Sequence, residues 1–291
     1  MKILNKIILV TLLISCPLSK EALCADQYTS TINEPTTSFL GSTRLKGEKG
    51  FYLDFEASGS YGPISGYMQT PLGGTPGSTS DKRPKFDELG IDRMTMVNLS
   101  LSGGMGSHQV YVAAHLVNLS GQATLDQALI FHGEEYPAGT GVKANARLNW
   151  YEIGYQYNFF VGKERASLSI APIAALALWD FSVELKANDE KNSRSYMKGT
   201  PRVGLEFEWL PVNRFSVSGK AIASLPFDNM PHIYTLGLTG KYSFVDKDRL
   251  KISLFAGVEY DQVDFKDNQT EPNHVQANMG PLGLVGMEIK F

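Results

Sequence analysis

Cysteine is almost missing from this chain. It has two, Cys16 and Cys24, and both lie within the first 25 residues. If that leader is removed, neither disulfide nor thiol chemistry remains, and the fold must hold by packing and hydrogen bonding alone. Long apolar runs are missing as well. Past the leader, no segment supplies the roughly 18 uncharged apolar residues that a membrane-spanning helix needs. The nearest, 170–179, is too short and contains Pro172. A basic surplus is also lacking: 27 Lys and Arg stand against 30 Asp and Glu, a net charge of −3. Cleavage after Ala25 takes away Lys2, Lys6, Lys20 and Glu21, a net two positive charges, and leaves −5. Binding to nucleic-acid phosphates needs clustered Lys and Arg, so nucleic acid is excluded as a partner.

The first 25 residues have a basic start, an apolar block from Ile7 to Ser15 and small residues near Ala25, the layout of a cleaved secretory signal. A competing reading takes Leu13-Ile14-Ser15-Cys16 as a lipidation site with Cys16 as the acylated residue. Residues 26–48, rich in Ser and Thr and without periodicity, are expected to be a flexible periplasmic lead-in.

From 49 to 291 the letters alternate with a period of two, the sign of strands. Ten strands are expected, with eight or twelve also compatible. The first spans 50–61, the second 92–102, the third 108–119, the fourth 143–158 and the fifth 166–185. Five more follow around 203–209, 215–225, 234–244, 252–261 and 282–291. Longer polar loops are expected at 62–90, 120–142, 186–195 and 263–279, and short turns after the even strands. In the fourth and fifth strands the apolar positions change parity, at Trp150 and at Phe181, and a bulge is expected at the slip in the fourth.

The last ten residues, Leu282 to Phe291, set Phe291, Ile289, Met287 and Val285 on one face and Lys290, Glu288 and Leu284 on the other, and stop on the aromatic. An apolar strand with an uncovered edge invites aggregation unless it closes on the first strand of a barrel. Here the sequence resembles bacterial outer-membrane β-barrels, whose final strand typically ends in an aromatic residue, usually Phe. The resemblance implies export to the outer membrane, contact with its lipid and lipopolysaccharide, and recognition of the C-terminal strand by the barrel-assembly machinery. The expected fold is all-β, a single closed antiparallel transmembrane barrel without cofactor. Aromatics at the ends of apolar faces, such as Tyr234, Tyr242 with Phe244, and Phe207 with Trp209, suit the girdles of such barrels. A soluble periplasmic all-β binding protein shows the same period with faces exchanged, so it stays as an alternative.

If the apolar faces meet lipid, the interior carries Asp54, Glu56, Arg147, Arg202, Glu206, Lys220, Lys241 and Glu259, which should pair across a narrow lumen. His115 points inward, where a hydrogen-bonded histidine is commoner than a catalytic base, and His132 beside Gly133-Glu134-Glu135 has no second ligand pair for a metal. No catalytic set is assigned, although an outer-membrane hydrolase with a site at the loop rim remains an alternative. The expected function is binding by the outward loops or limited solute passage. The first long loop carries the candidate ligand residues Lys82, Arg83, Lys85, Asp87 and Glu88, its cations placed for lipopolysaccharide phosphates, while Pro84, Phe86, Leu89 and Ile91 dock it onto the barrel mouth. A plain solvated loop is the competing reading.

Overall fold

A computed structural model describes residues 51–72, 82–161, 167–188, 190–212, 214–247 and 250–291. The signal and lead-in expected over 1–48 lie outside them. Ten long strands form one closed antiparallel barrel. They are β1 (Phe51–Gln69), β2 (Arg93–Met105), β3 (His108–Thr124), β6 (Gly141–Tyr157), β8 (Ser167–Ala187), β9 (Glu190–Val212), β10 (Phe215–Ser224), β11 (His232–Lys247), β12 (Leu250–Lys266) and β13 (His274–Lys290). Each pairs with its neighbour in the chain, and β1 pairs with β13 to close the ring. Three short strands accompany them: the hairpin β4 (Leu129–Phe131) and β5 (Glu134–Tyr136), and β7 (Phe159–Val161) beside β8.

The ring has two ends. At one, β2 turns into β3 through Gly106 and Ser107, and two residues join β9 to β10 and β11 to β12; both Phe51 and Phe291 sit here. At the other, segments 70–92 and 125–140 are long and carry a 3₁₀ turn (Asp87–Leu89) and the β4–β5 hairpin. The turn end and the loop end differ just as in barrels whose short turns face the periplasm.

What fills the wall changes with height. In the half nearer the turns, outward side chains are apolar and exposed, among them Leu99, Leu101, Val112, Ile153, Leu205 and Phe207. Inward neighbours there are polar: Ser100 and Ser102 on β2, Glu152 and Gln156 on β6, Glu259 and Asp261 on β12. A water-soluble barrel would expose the opposite set, so this band meets lipid. Toward the loops the arrangement inverts. Inward positions become Met94 and Met96 on β2, Leu148 and Trp150 on β6, Val263 and Phe265 on β12, all buried, while outward positions become Lys143, Asn145 and Arg147 on β6 and Ser182 and Glu184 on β8. The outer part of the barrel therefore stands clear of the lipid, with a core like that of a soluble protein.

This inversion corrects three expectations. The parity slips at Trp150 and Phe181 are not bulges: β6 and β8 stay in unbroken register from Val142↔Ala187 to Gln156↔Ile173, and the slip marks where lipid gives way to water outside. Residues 186–195 are not a loop, because β8 and β9 run on together to Ala187↔Glu190. Nor does the first loop begin at 62. β1 continues to Gln69, with Ile64 and Met68 turned into the core. A true irregularity lies in β13, where the register shifts against both neighbours around Gly280 and Pro281 and the inward parity passes from Met279 to Leu282. Gly280 has φ of +127°, which a residue with a Cβ rarely adopts.

Candidate functional site: a charged lumen under an apolar plug

Two regions concentrate chemistry, and they lie one above the other inside the ring. The upper is a plug. Phe86, Leu89 and Ile91 from the first loop are 0%, 1% and 2% exposed, and Leu129, Phe131 and Tyr136 come down beside them from the β4–β5 hairpin. They meet Met68, Met96, Val117, Leu148, Trp150, Trp179 and Phe265 from the wall in one continuous core. Aromatic rings tighten it, with Trp179 within 5.4 to 5.7 Å of Phe181, Phe265 and Tyr196. The expected docking of the first loop through Pro84, Phe86, Leu89 and Ile91 is thus seen, all four being buried. The hairpin that completes the plug was read as plain loop; its turn signal was Phe131-His132-Gly133-Glu134, with His132 and Gly133 at φ of +51° and +84°.

Below the plug lies a cavity of about 220 Å³. Its lining includes Asp54, Glu56, Glu152, Glu206, Glu208, Glu259 and Glu288, with Arg202, Lys220 and Lys241. Ion pairs here reach across intervening strands. Arg202 on β9 pairs with Glu152 on β6, beyond β8, and also donates to Thr235 Oγ1 at 2.9 Å, which donates in turn to Asp261 at 2.7 Å. Lys220 on β10 reaches Glu259 on β12 at 2.9 Å, over Gly237 of β11, where a Cβ would stand 3.2 Å from the lysine chain. Lys241 on β11 reaches Glu288 on β13 at 2.6 Å. Glu56 faces Glu288 directly across the β1–β13 seam, a like-charge contact that Lys241 offsets on the Glu288 side.

Of the eight residues expected in the lumen, seven are there. Arg147 is not. It shares the outward parity of Tyr151 and Ile153 but lies above the lipid band, where it pairs with Asp180 on the water-facing wall at 3.2 Å. His115 does point inward; its Nδ1 donates to Asn98 Oδ1 at 2.8 Å and its ring stacks on Trp150 at 4.6 Å. That is a packed, hydrogen-bonded histidine.

The candidate loop residues hold the plug's upper surface together. Lys82 pairs with Glu135 of the hairpin at 2.7 Å, and Lys85 with Glu88 at 2.7 Å, a contact that raises the lysine's pKa. Gln127 donates to Glu88 at 2.6 Å, while the Asp87 side chain accepts from the Glu88 N–H at 3.0 Å. Arg83 lies flat over the Tyr67 ring at 3.3 Å. Tyr67 also meets the His274 ring at 3.1 Å, and His274 meets Asp264 at 3.2 Å, so this group ties the first loop to β1, β12 and β13. Among the described residues no group of three His, Cys, Asp or Glu is arranged to hold a metal.

No protein-family model matches the chain, and no curated protein matches its sequence. Solved structures share its overall course loosely. The outer-membrane protease OmpT from Escherichia coli is 10% identical, with 84% of this chain and 97% of that one covered at a TM-score of 0.38. A mutant of the monoaromatic hydrocarbon channel TodX is 7% identical, with 84% and 91% covered at a TM-score of 0.27. What places the chain is its own architecture of ring, lipid-facing band and polar lumen: it is a closed ten-stranded β-barrel of the outer membrane.

Proposed function

We propose that this barrel does not conduct, and that its outer part is a rigid binding platform held above the lipid. The observation that carries this reading is the plug: Met68, Met96, Leu148, Trp150, Trp179 and Met279 are all 0% exposed, so apolar side chains meet across the lumen with no water path between them. Passage of a polar solute would require this core to open. The platform's upper surface is fixed by the Lys82–Glu135 and Lys85–Glu88 pairs, and both lysines keep nearly half of their side-chain surface exposed. Exposed ammonium groups beside the membrane surface suit lipopolysaccharide phosphates, which makes Lys82, Arg83 and Lys85 the candidate contacts, with Asp87 and Glu88 setting their spacing. The barrel-assembly machinery is the other partner this reading includes, through β13.

Single-channel recording in planar bilayers tests it. The folded protein is expected to give no conductance steps, and replacing Phe86, Leu89 and Ile91 together with Ser is expected to produce them. Regular steps from the unaltered protein would overturn the reading.

A further inference from the structure

The wall of the ring is uneven in height. β10 stops at Ser224, paired with Arg202, and β11 begins at His232, whereas β8 and β9 run on together to Ala187↔Glu190. Over residues 190–200, β9 therefore has β8 on one side and, among the described residues, no strand on the other. At 3.3 Å per residue this open edge is about 30 Å long. Alternate residues of such an edge hold out backbone N–H and C=O groups without a ladder partner, the template on which another strand can be added. The edge stands above the lipid band, since Asp180, Ser182 and Glu184 of β8, which face water, lie opposite Met197, Ser195 and Ser193.

The charge along the edge is a separate observation. From Lys191 to Thr200 the strand carries three cations and no carboxylate. Lys191 is engaged by Glu184 of β8. Arg194 and Lys198 are in no ion pair among the described residues: Arg194 Nε is buried without a hydrogen-bond partner, and Lys198 Nζ stands 5.8 Å from the centre of the Phe265 ring. Both share the face of Tyr196, which lies between them on β9. A second copy of this chain suits the edge poorly. Antiparallel pairings centred on Arg194 or on Tyr196 set Arg194 against its own counterpart or against Lys198, and the pairing centred on Ser195 leaves both cations unmatched. We propose that the open edge of β9 takes an acidic, extended segment of another polypeptide as an added strand. Carboxylates four residues apart on that segment lie beside Arg194 and Lys198, with an apolar side chain between them against Tyr196. Backbone hydrogen bonds supply the affinity and the two cations select the sequence. The inference shares no residue with the lipopolysaccharide contacts of the first loop, so either can fail alone.

The test is fluorescence-anisotropy titration of the folded, detergent-solubilised full chain with a labelled, end-capped peptide, Thr-Glu-Thr-Val-Thr-Glu-Thr. It is expected to bind, whereas the same peptide with every backbone nitrogen methylated, which keeps its charge but loses its N–H donors, should bind at least tenfold more weakly. A version with Lys in place of Glu should lose as much. Arg194→Gln and Lys198→Gln should each weaken the acidic peptide roughly threefold, and together roughly tenfold, without altering heat-modifiable migration on a gel. Lys247→Gln, on the exposed turn end, should leave binding unchanged. No binding of the acidic peptide would mean that the lysines shield the edge against every strand, and would overturn the proposal. Equal binding of the methylated peptide would reduce the edge to a patch of charge, and equal binding of the Lys peptide or full binding by the double variant would remove the role of the two cations. Sedimentation of the unaltered protein as a dimer that excludes the peptide would give the edge to a second copy and overturn the proposal as well.

Discussion

Trp150 on β6 and Trp179 on β8 stand directly opposite each other across the ladder, both turned inward and both fully buried, at the level where the lumen changes from charged to apolar. Beneath them Trp150 covers His115, and above them Trp179 joins Phe181, Tyr196 and Phe265. The pair is the floor of the plug. Trp179→Ala should cost about 3–5 kcal/mol, since its neighbours are fixed in a closed wall and cannot collapse into the space. A lower urea midpoint in detergent micelles checks this; an unchanged midpoint would show that the plug is not a packed core.

The ring, its ten strands and the seam at β13 were legible in the sequence because period-two alternation depends only on which face is apolar. The parity slips were visible too, but one pattern of letters has two physical causes. A bulge turns the strand over, whereas a change of surroundings outside the wall exchanges apolar and polar faces without turning it. Arg147 went to the wrong side for that reason. The β8–β9 extension was read as a loop because its outward residues, Lys191, Ser193 and Ser195, are those of a strand in water. The ion pairs of the lumen were legible as a mixture of signs. Their partners were not, because they skip strands and depend on ring closure.

Arg202 shows what those pairs demand. It is 1% exposed and holds Glu152 on one side and the Thr235–Asp261 chain on the other. Arg202→Met should destabilise the barrel by about 3–5 kcal/mol, because Glu152 and Asp261 are left buried without their cation. Adding Glu152→Leu should recover part of that loss. The fraction of protein migrating as folded in unboiled gel samples, followed against temperature, reads both. Equal loss in the single and double variants would mean that the pairing is not the cause.

At the loop end, Glu190 hydrogen-bonds Glu134 of the hairpin, and that contact, together with the charge of Glu134, raises the Glu190 pKa above its ordinary 4.5. The sign follows. A carboxyl whose folded pKa is raised contributes stability below its unfolded value and loses it as pH rises through the folded one. The tip of the β8–β9 hairpin should therefore exchange its amide hydrogens more slowly, relative to intrinsic rates, below pH 4.5 than at neutrality. Glu190→Gln should remove that difference. Protection at the tip that rises toward neutral pH in the unaltered protein would contradict the assignment.

Phe291 closes the seam at its last rung. Its N–H donates to the Leu53 carbonyl at 2.8 Å, and its carbonyl accepts from the Leu53 N–H at 3.1 Å, while its ring stays exposed. Lys290 beside it points the other way, 4.7 Å above the Tyr52 ring. Deleting Phe291 removes both backbone bonds and the terminal aromatic, so outer-membrane levels should fall several-fold, whereas Lys290→Gln should leave them near normal. Phe291→Ala separates the two roles, because it keeps the rung and loses only the ring. If the aromatic is what the assembly machinery reads, Phe291→Ala falls as far as the deletion. If closure of the seam matters more, Phe291→Ala assembles normally and only the deletion suffers. Normal levels for both would mean that neither the last rung nor the terminal ring guides assembly.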